Sequence, residues 1–448
     1  MLKRPRVWWI LLALVTAVFL VGAACGEDED EGDGGEDQTP TTAPAETGTP
    51  AVSGEIITAE DILRTDPGVT KTAELEWGFL FELSGGLYAG FGVPTGDGVK
   101  LAVKEINDAG GFQVGDTIYT IKLVERDTHS DVAQTVAATQ ELVQDVGVNV
   151  IWGPATVGET EATQITQPAK VLHLCPCQQR EIVALNTVEK AEGESHWAFQ
   201  TLLPFSLLIG QGARNFVEDY PDFHTMAILC ENSQSSRDVC GRTRVAYEAV
   251  GVEVVGEEYF PPETADYSPF LTKMKEGDPD YLFNFSSDPL SGPQIVRKAL
   301  ELGVGRLHLV TVPADIVESL VGRPLTVPVT TGAVGRQSVQ PTSQEAADYY
   351  ERYKAFKGGE LPFASFVSLL TYDFAYMLAA AMQQAGTVED TTAIADALET
   401  LHYDGVAEND LFFNPRHLAV LGTEPCTVET GKPIVCEHIP PPPEAVEG

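Results

Sequence analysis

The amino-acid sequence predicts an α/β protein made of two doubly wound, mostly parallel-sheet lobes joined by a hinge. Three observations lead there. From about Leu75, short β-rich runs alternate with amphipathic helical stretches, the pattern of parallel sheets covered by helices on both faces. The pattern restarts near residue 199 and runs a second time. The chain has 448 residues, too many for one such sheet and enough for two domains of ordinary size.

The elements justify this in order. Residues 1–24 read as a signal peptide: Lys3, Arg4 and Arg6 are basic, Trp8 to Val21 are apolar, and small residues lead into Cys25, the layout of a secretory leader. The apolar run is marginal for spanning a bilayer. The stretch VGAAC resembles a bacterial lipobox, with Gly22 where leucine or a similar residue is usual and Val21 one place earlier. That resemblance implies a lipid on Cys25 as the first mature residue, held in the membrane by its acyl methylenes. An uncleaved anchor or ordinary signal cleavage is the alternative. Residues 25–55 follow as an acidic, Thr/Pro-rich tether. It lacks the apolar side chains that offset ordering entropy, and its like charges extend it. It carries no EF-hand spacing, so no calcium site is expected.

In the body, ELEWGFLF reads as a strand and TGDGVKLAVKEINDAGG as a helix closed by glycines. TIYTIKLVERDT is a strand, DVAQTVAATQELVQDVG a helix, VNVIWGP a buried strand, ETEATQITQPAK a helix and VLHLCP a strand. After the crossover come the helix IGQGARNFVEDY, the strand HTMAILC, the helix RDVCGRTRVAYEAVG and the strand VEVVGEEYF. The helix SPFLTKMKEG, strand DYLFNFS, helix GPQIVRKALELG and strand RLHLVTV complete the second round. The stretch PVTTGAVG and the helices from Ser343 to Phe356 and Ser365 to Gln384 are read as returning to the first lobe. The expected division is therefore 72–198 with 315–405 for lobe one, and 199–314 with 406–440 for lobe two.

Composition excludes some functions. Net charge is -38 and the pI about 4.4, so nothing would neutralise the phosphates of a nucleic acid. No second apolar run of spanning length stands out, and the mature body reads as soluble. Setting Cys25 aside leaves six of seven cysteines for an oxidising compartment. Cys230 and Cys240 bracket a short polar loop, and Cys426 and Cys436 bracket a hairpin; both read as local disulfides. A bridge between Cys175 and Cys177 is disfavoured by geometry, so these read as free thiols or as competitors for the other pairings. His173, Cys175 and Cys177 alternate on one strand face, which suits a soft metal in principle. With no separate pair of ligands evident, a core strand is the reading taken and no metal is expected.

In open α/β sheets, ligands sit beyond the carboxyl ends of strands at switch points. The loops there are ELSGGLYAGFG, GPATVGET and CPCQQRE in lobe one, and ENSQSSRD and SSDPLSG in lobe two. GPATVGET feeds a helix N-terminus, whose N–H groups favour a carboxylate or carbonyl oxygen.

In order and spacing, GVKLAVKEINDAGG, DVAQTVAATQELV, VNVIWGPAT, DYSPFLTKMKEGDPDYLF and IVRKALELGV resemble the type I periplasmic binding proteins of ABC importers, in the leucine/isoleucine/valine-binding branch. The resemblance runs from about Trp77 to about Gln384. It implies a hinged two-lobed receptor that closes over a small solute and delivers it to a permease, with no cofactor. Carried over position by position, it implies a ligand wall from Phe91, Ala155, Thr156, Val157, Gln178 and Gln179, and a second from Ser235, Ser236 and Asp288. Departures are plain: Phe91 lacks a phenol, Val157 stands where the branch has serine, Gln178 and Gln179 replace Ala-Thr, Ser235 and Ser236 replace Tyr-Gly, and Asp288 is a few places off. The frame is kept while the head-group contacts change, which argues against an ordinary branched-chain amino acid. Gln178 and Gln179 suit an amide, urea-like or carboxylate ligand, and Asp288 a cationic nitrogen. A ligand-sensing lipoprotein without transport is the alternative. An extracytoplasmic hydrolase is less favoured, since no G-x-S-x-G, P-loop or H-E-x-x-H occurs.

Overall fold

Two sheets carry the architecture of the computed structural model. It describes residues 56–85, 88–177, 182, 196–202, 204–286, 290–311, 317, 321, 329–331, 341–362, 364–422, 425–428, 434–436, 438–439 and 441. The signal peptide, the tether, Cys25, Gln178, Gln179 and Asp288 lie outside the described residues.

The first sheet has six strands in the order Phe112–Val114, Thr117–Asp127, Lys71–Phe81, Val150–Trp152, Leu172–Cys175 and Ala198–Gln200. All neighbours are parallel except the 112–114/117–127 hairpin. The strand Lys71–Phe81 runs from exposed at its start to fully buried over its last five residues, because its apolar run WGFLF occupies the middle of the sheet. Trp77 and Trp152 meet there, ring centroids 6.2 Å apart.

The second sheet has seven strands in the order Val435–Cys436, Cys426–Val428, Val329–Thr331, Leu307–Leu309, Tyr281–Phe285, Thr225–Glu231 and Glu253–Phe260. Strands 253–260 to 329–331 are parallel, and the last two in the chain are antiparallel. In both sheets the first long strand lies between its two successors: 71–81 between 117–127 and 150–152, and 225–231 between 253–260 and 281–285. The order in which strands are added therefore reverses at 71–81 and at 225–231, which makes their carboxyl ends the two switch points.

The structure corrects the expected division in two places. Val329–Thr331, read as returning to lobe one, pairs with Leu307–Leu309 and with Cys426–Val428 in the second sheet. It fills the edge that 307–309 would otherwise leave with unpaired backbone groups. Residues 406–422, assigned to lobe two, pack on the first-lobe side. Phe413 meets Phe199 and Phe374, each at 5.0 Å between centroids, and Leu418 bridges Gln200. The buried carboxylate of Asp373 accepts the N–H groups of Val406 (2.9 Å) and Ala407 (2.7 Å). The physical reason is burial: Leu411, Phe413 and Leu418 find apolar cover there.

Residues 57–63 add structure just before the assigned body. Ile57–Thr58 pairs with Tyr403–Asp404, and Thr58 and Asp61 form a reciprocal capping box on the helix Ala59–Leu63. The helix Ser368–Ala385 corrects another expectation. With the preceding turn it is long and apolar enough to cross a membrane, at mean hydropathy 1.3 over its window, yet that window is wholly buried. It is a core helix, packed against Ala89–Asp108 and Thr391–Leu398.

Candidate functional site at the strand ends

At the first switch point the strand 71–81 delivers Glu82. Its side chain is 0% exposed. The loop 153–158 wraps it: Oε2 accepts the N–H of Ala155 at 3.1 Å, and Oε1 accepts those of Thr156 at 2.9 Å and Val157 at 2.8 Å. Burial pushes the Glu82 carboxyl up from its ordinary value, and the N–H groups of Thr156, Val157 and Ala155 pull the other way without cancelling it. Gly153 makes the loop possible. It sits at φ +85, and a Cβ there would collide with the Leu80 carbonyl. Nε2–H of the buried His173 donates to the Gly153 carbonyl at 2.7 Å. Thr135 Oγ1 donates to the Val157 carbonyl at 3.0 Å. The Thr156 hydroxyl is shielded from solvent and has no hydrogen-bond partner among the described residues.

The adjoining loop is tied by Asp127. It accepts from the N–H groups of Leu83, Ser84 and His129 and from the Ser84 hydroxyl. Burial alone would raise the Asp127 carboxyl, but these donors outweigh it and hold it below its usual value. Ser84, His129 and Asp127 are one cluster, with Ser84 Oγ 2.7 Å from His129 Nδ1. It is a loop tie and not a nucleophile with its base. The Ser84 proton goes to Asp127 at 2.6 Å, and a single ring nitrogen of His129 faces both partners, whereas a triad imidazole bridges through two.

At the second switch point, strand 225–231 ends in Glu231, buried, which accepts from Ser286 Oγ at 2.7 Å. The Ser233 hydroxyl caps the helix Gln234–Ala249 by accepting the Ser236 N–H at 3.3 Å, and donates to Ser236 Oγ at 2.9 Å. Cys230 pairs with Cys240, fastening that helix to the strand end.

The predicted site residues therefore separate. Ala155, Thr156 and Val157 come together, but their N–H groups face Glu82. Phe91 packs against Ala364, Phe366 and Val367. Ser236 is buried and serves the helix cap. Ser235 lies in the first turn of the same helix, its side chain outside what is described. Gln178 and Gln179 lie outside the described residues; Gln200 donates to the Cys177 carbonyl at 2.7 Å and accepts the Ile182 N–H at 3.1 Å. Cys175 and Cys177, read as free or competing thiols, are paired with each other, Cα atoms 5.2 Å apart. Cys426 pairs with Cys436 across adjacent strands. Glu82 and Glu231 escaped the sequence reading. Each is an acid closing an apolar run, FLFE and AILCE, and that was the available signal.

Comparison with known proteins supplies the family. Residues 76–425 match the family described as periplasmic binding protein. The chain belongs to that family. Among periplasmic binding proteins it is similar to the Leu/Ile/Val-binding protein homolog 8 of Brucella abortus, 25% identical over 222 residues, covering 48% of this chain and 52% of that protein. It thus spans about half the length of the curated relatives it matches. Solved structures of transporter binding proteins share its fold. The branched-chain amino acid transporter substrate binding protein LivJ of Streptococcus pneumoniae, in complex with isoleucine, has TM-score 0.65 at 23% identity, over 82% of this chain and 100% of that one. A solute binding protein of an ABC transporter from Rhodopseudomonas palustris, in complex with 3,4-dihydroxy benzoic acid, has TM-score 0.63 at 18% identity, over 82% and 96%. The two parallel-rich sheets thus follow the fold of these solved binding proteins.

Proposed function

We propose that this chain is the extracytoplasmic substrate-binding component of an ABC transporter. It captures a small polar solute, an amino acid, amide or related compound, between its two lobes and delivers it to a permease, without catalysis or cofactor. The observation that carries this reading is the paired switch point. In both sheets the strand order reverses at the first long strand, and each places there a buried acid and a helix-leading loop. A solute touching both loop sets stabilises the closed form, because only such a ligand has different affinity for open and closed states. Relatives solved with isoleucine and with a dihydroxybenzoic acid support a small solute while leaving its head group open. Cys25 is proposed as the lipidated anchor and the acidic segment after it as the tether, which gives a membrane-held protein outside the cytoplasm.

The test is a thermal-shift screen of residues 56–448 against branched-chain and polar amino acids, amides, urea, polyamines and small carboxylates. A solute at a hundredfold over its Kd adds about 2.7 kcal/mol. A reproducible shift with one class and none with the others is expected. Turnover of the bound compound, or silence across the panel, would overturn the reading.

A further inference from the structure

Loop 153–158 leads into the helix Glu159–Thr166, and free N–H groups in such a position attract an anion. In this chain they are not free. Three consecutive N–H groups, from Ala155, Thr156 and Val157, already donate to the two oxygens of Glu82 at 2.8–3.1 Å. The molecule is also shaped to keep the carboxylate there. A Cβ on Gly92, in the first turn of the helix Ala89–Asp108, would come 2.5 Å from the Glu82 carbonyl, 2.8 Å from its Cβ and 2.9 Å from Oε2. The absent side chain is the space Glu82 uses.

We propose that Glu82 is a resident carboxylate filling the anion cradle of the first switch point, so that the solute meets this end of the site with a neutral or cationic head, such as an amide or amine. This assignment rests on the receptor reading above and narrows its solute class. Two carboxylates cannot share the three N–H groups, because like charges in one small site oppose each other's ionisation. Nor does the cradle release Glu82 cheaply, since its own buried carboxylate would lose all three N–H donors and need new ones. A solute carboxylate therefore finds neither donors nor room, while a head without charge meets no repulsion. Glu82 acts on specificity by excluding one class of head group.

Formate is the direct probe. Wild type, Glu82→Ala and Glu82→Gln are compared by melting temperature and calorimetry against formate at fixed ionic strength, with chloride as control. Only Glu82→Ala should gain saturable, formate-dependent stabilisation, at an affinity at least about tenfold above wild type. Glu82→Gln should stay silent, because its amide oxygen fills the cradle, and it keeps the comparison available if Glu82→Ala does not fold alone. In that event, formate in the refolding buffer should recover Glu82→Ala and not a control core variant. Equal formate binding by wild type, or no response of Glu82→Ala in either format, would overturn the assignment. Matched pairs then test the solute: leucine with leucinamide, benzoate with benzamide. Amides bound in preference to acids support it. An acid bound by wild type with affinity unchanged in Glu82→Gln overturns it and leaves the receptor reading standing. Formate rescue with no solute bound in either pair or in the wider panel keeps the resident carboxylate and removes the receptor reading.

Discussion

At the scale of single residues, burial decides protonation. His173 and His308 are fully buried, and that burial lowers each imidazole from 6.5 to about 4. Each carries one ring nitrogen bonded to a carbonyl, that of Gly153 and of Val304. Both are therefore neutral in the fold, while the unfolded chain protonates them near pH 6.5. Between pH 6.5 and about 4 the unfolded state binds more protons, so stability falls as pH falls. Each histidine accounts for about 3 kcal/mol of that loss. Glu82 runs the other way, because its raised carboxyl takes up a proton in the folded state first. Unfolding in denaturant at pH 7, 5.5 and 4.5 measures the balance, and His173→Gln should flatten the slope. A wild-type slope unchanged in that variant would contradict the assignment. Glu82→Ala strands the N–H groups of Ala155, Thr156 and Val157, one buried and two partly buried, and should cost about 3 kcal/mol, with Glu82→Gln costing roughly half as much.

At the scale of elements, one close helix crossing fixes the first lobe. A Cβ on Gly98 would land on the Ser368 carbonyl and the Thr371 hydroxyl, and Thr371 Oγ1 also donates to the Thr95 carbonyl at 2.6 Å. The helices Ala89–Asp108 and Ser368–Ala385 thus touch through backbone at Gly98. Gly98→Leu should push them apart and cost about 3 kcal/mol, read as a lower unfolding midpoint, whereas Gly110→Ala, with nothing within 4 Å of its Cβ, serves as a strain-only control at φ +102. The sequence showed both helices by their apolar spacing. It did not show that 368–385 would be enclosed, because composition cannot distinguish a helix surrounded by protein from one surrounded by lipid.

At the scale of the whole molecule, six cysteines form three pairs. Unfolded, unreduced body lacking Cys25 should titrate no thiol with Ellman's reagent, and reduction should expose all six. Free thiol before reduction would contradict the pairing of Cys175 with Cys177. For the full chain, Cys25→Ser should move the protein from the membrane fraction to the soluble extracytoplasmic fraction and remove acyl labelling. Retention at the membrane would point to an uncleaved anchor instead.

The fold was legible in the sequence because alternation of β-rich and helical stretches is a local pattern, repeated twice, and local patterns survive without coordinates. The strand-end loops followed from those strands, and the family resemblance lay in the same stretches. The candidate site was only half legible. Ala155, Thr156 and Val157 were placed at the first switch point, yet what their N–H groups would face depended on Glu82, more than seventy residues earlier. The same limit hid the docking of 406–422 on Asp373 and Phe374 and the edge pairing of 329–331. For the alternating stretches from Leu75 to Leu309, the sequence by itself determined which segments form strands and which form helices, because propensity and periodicity act between near neighbours. Only the tertiary structure decided which distant groups satisfy one another, because a buried donor or acceptor takes whatever partner the packing brings within about 3 Å.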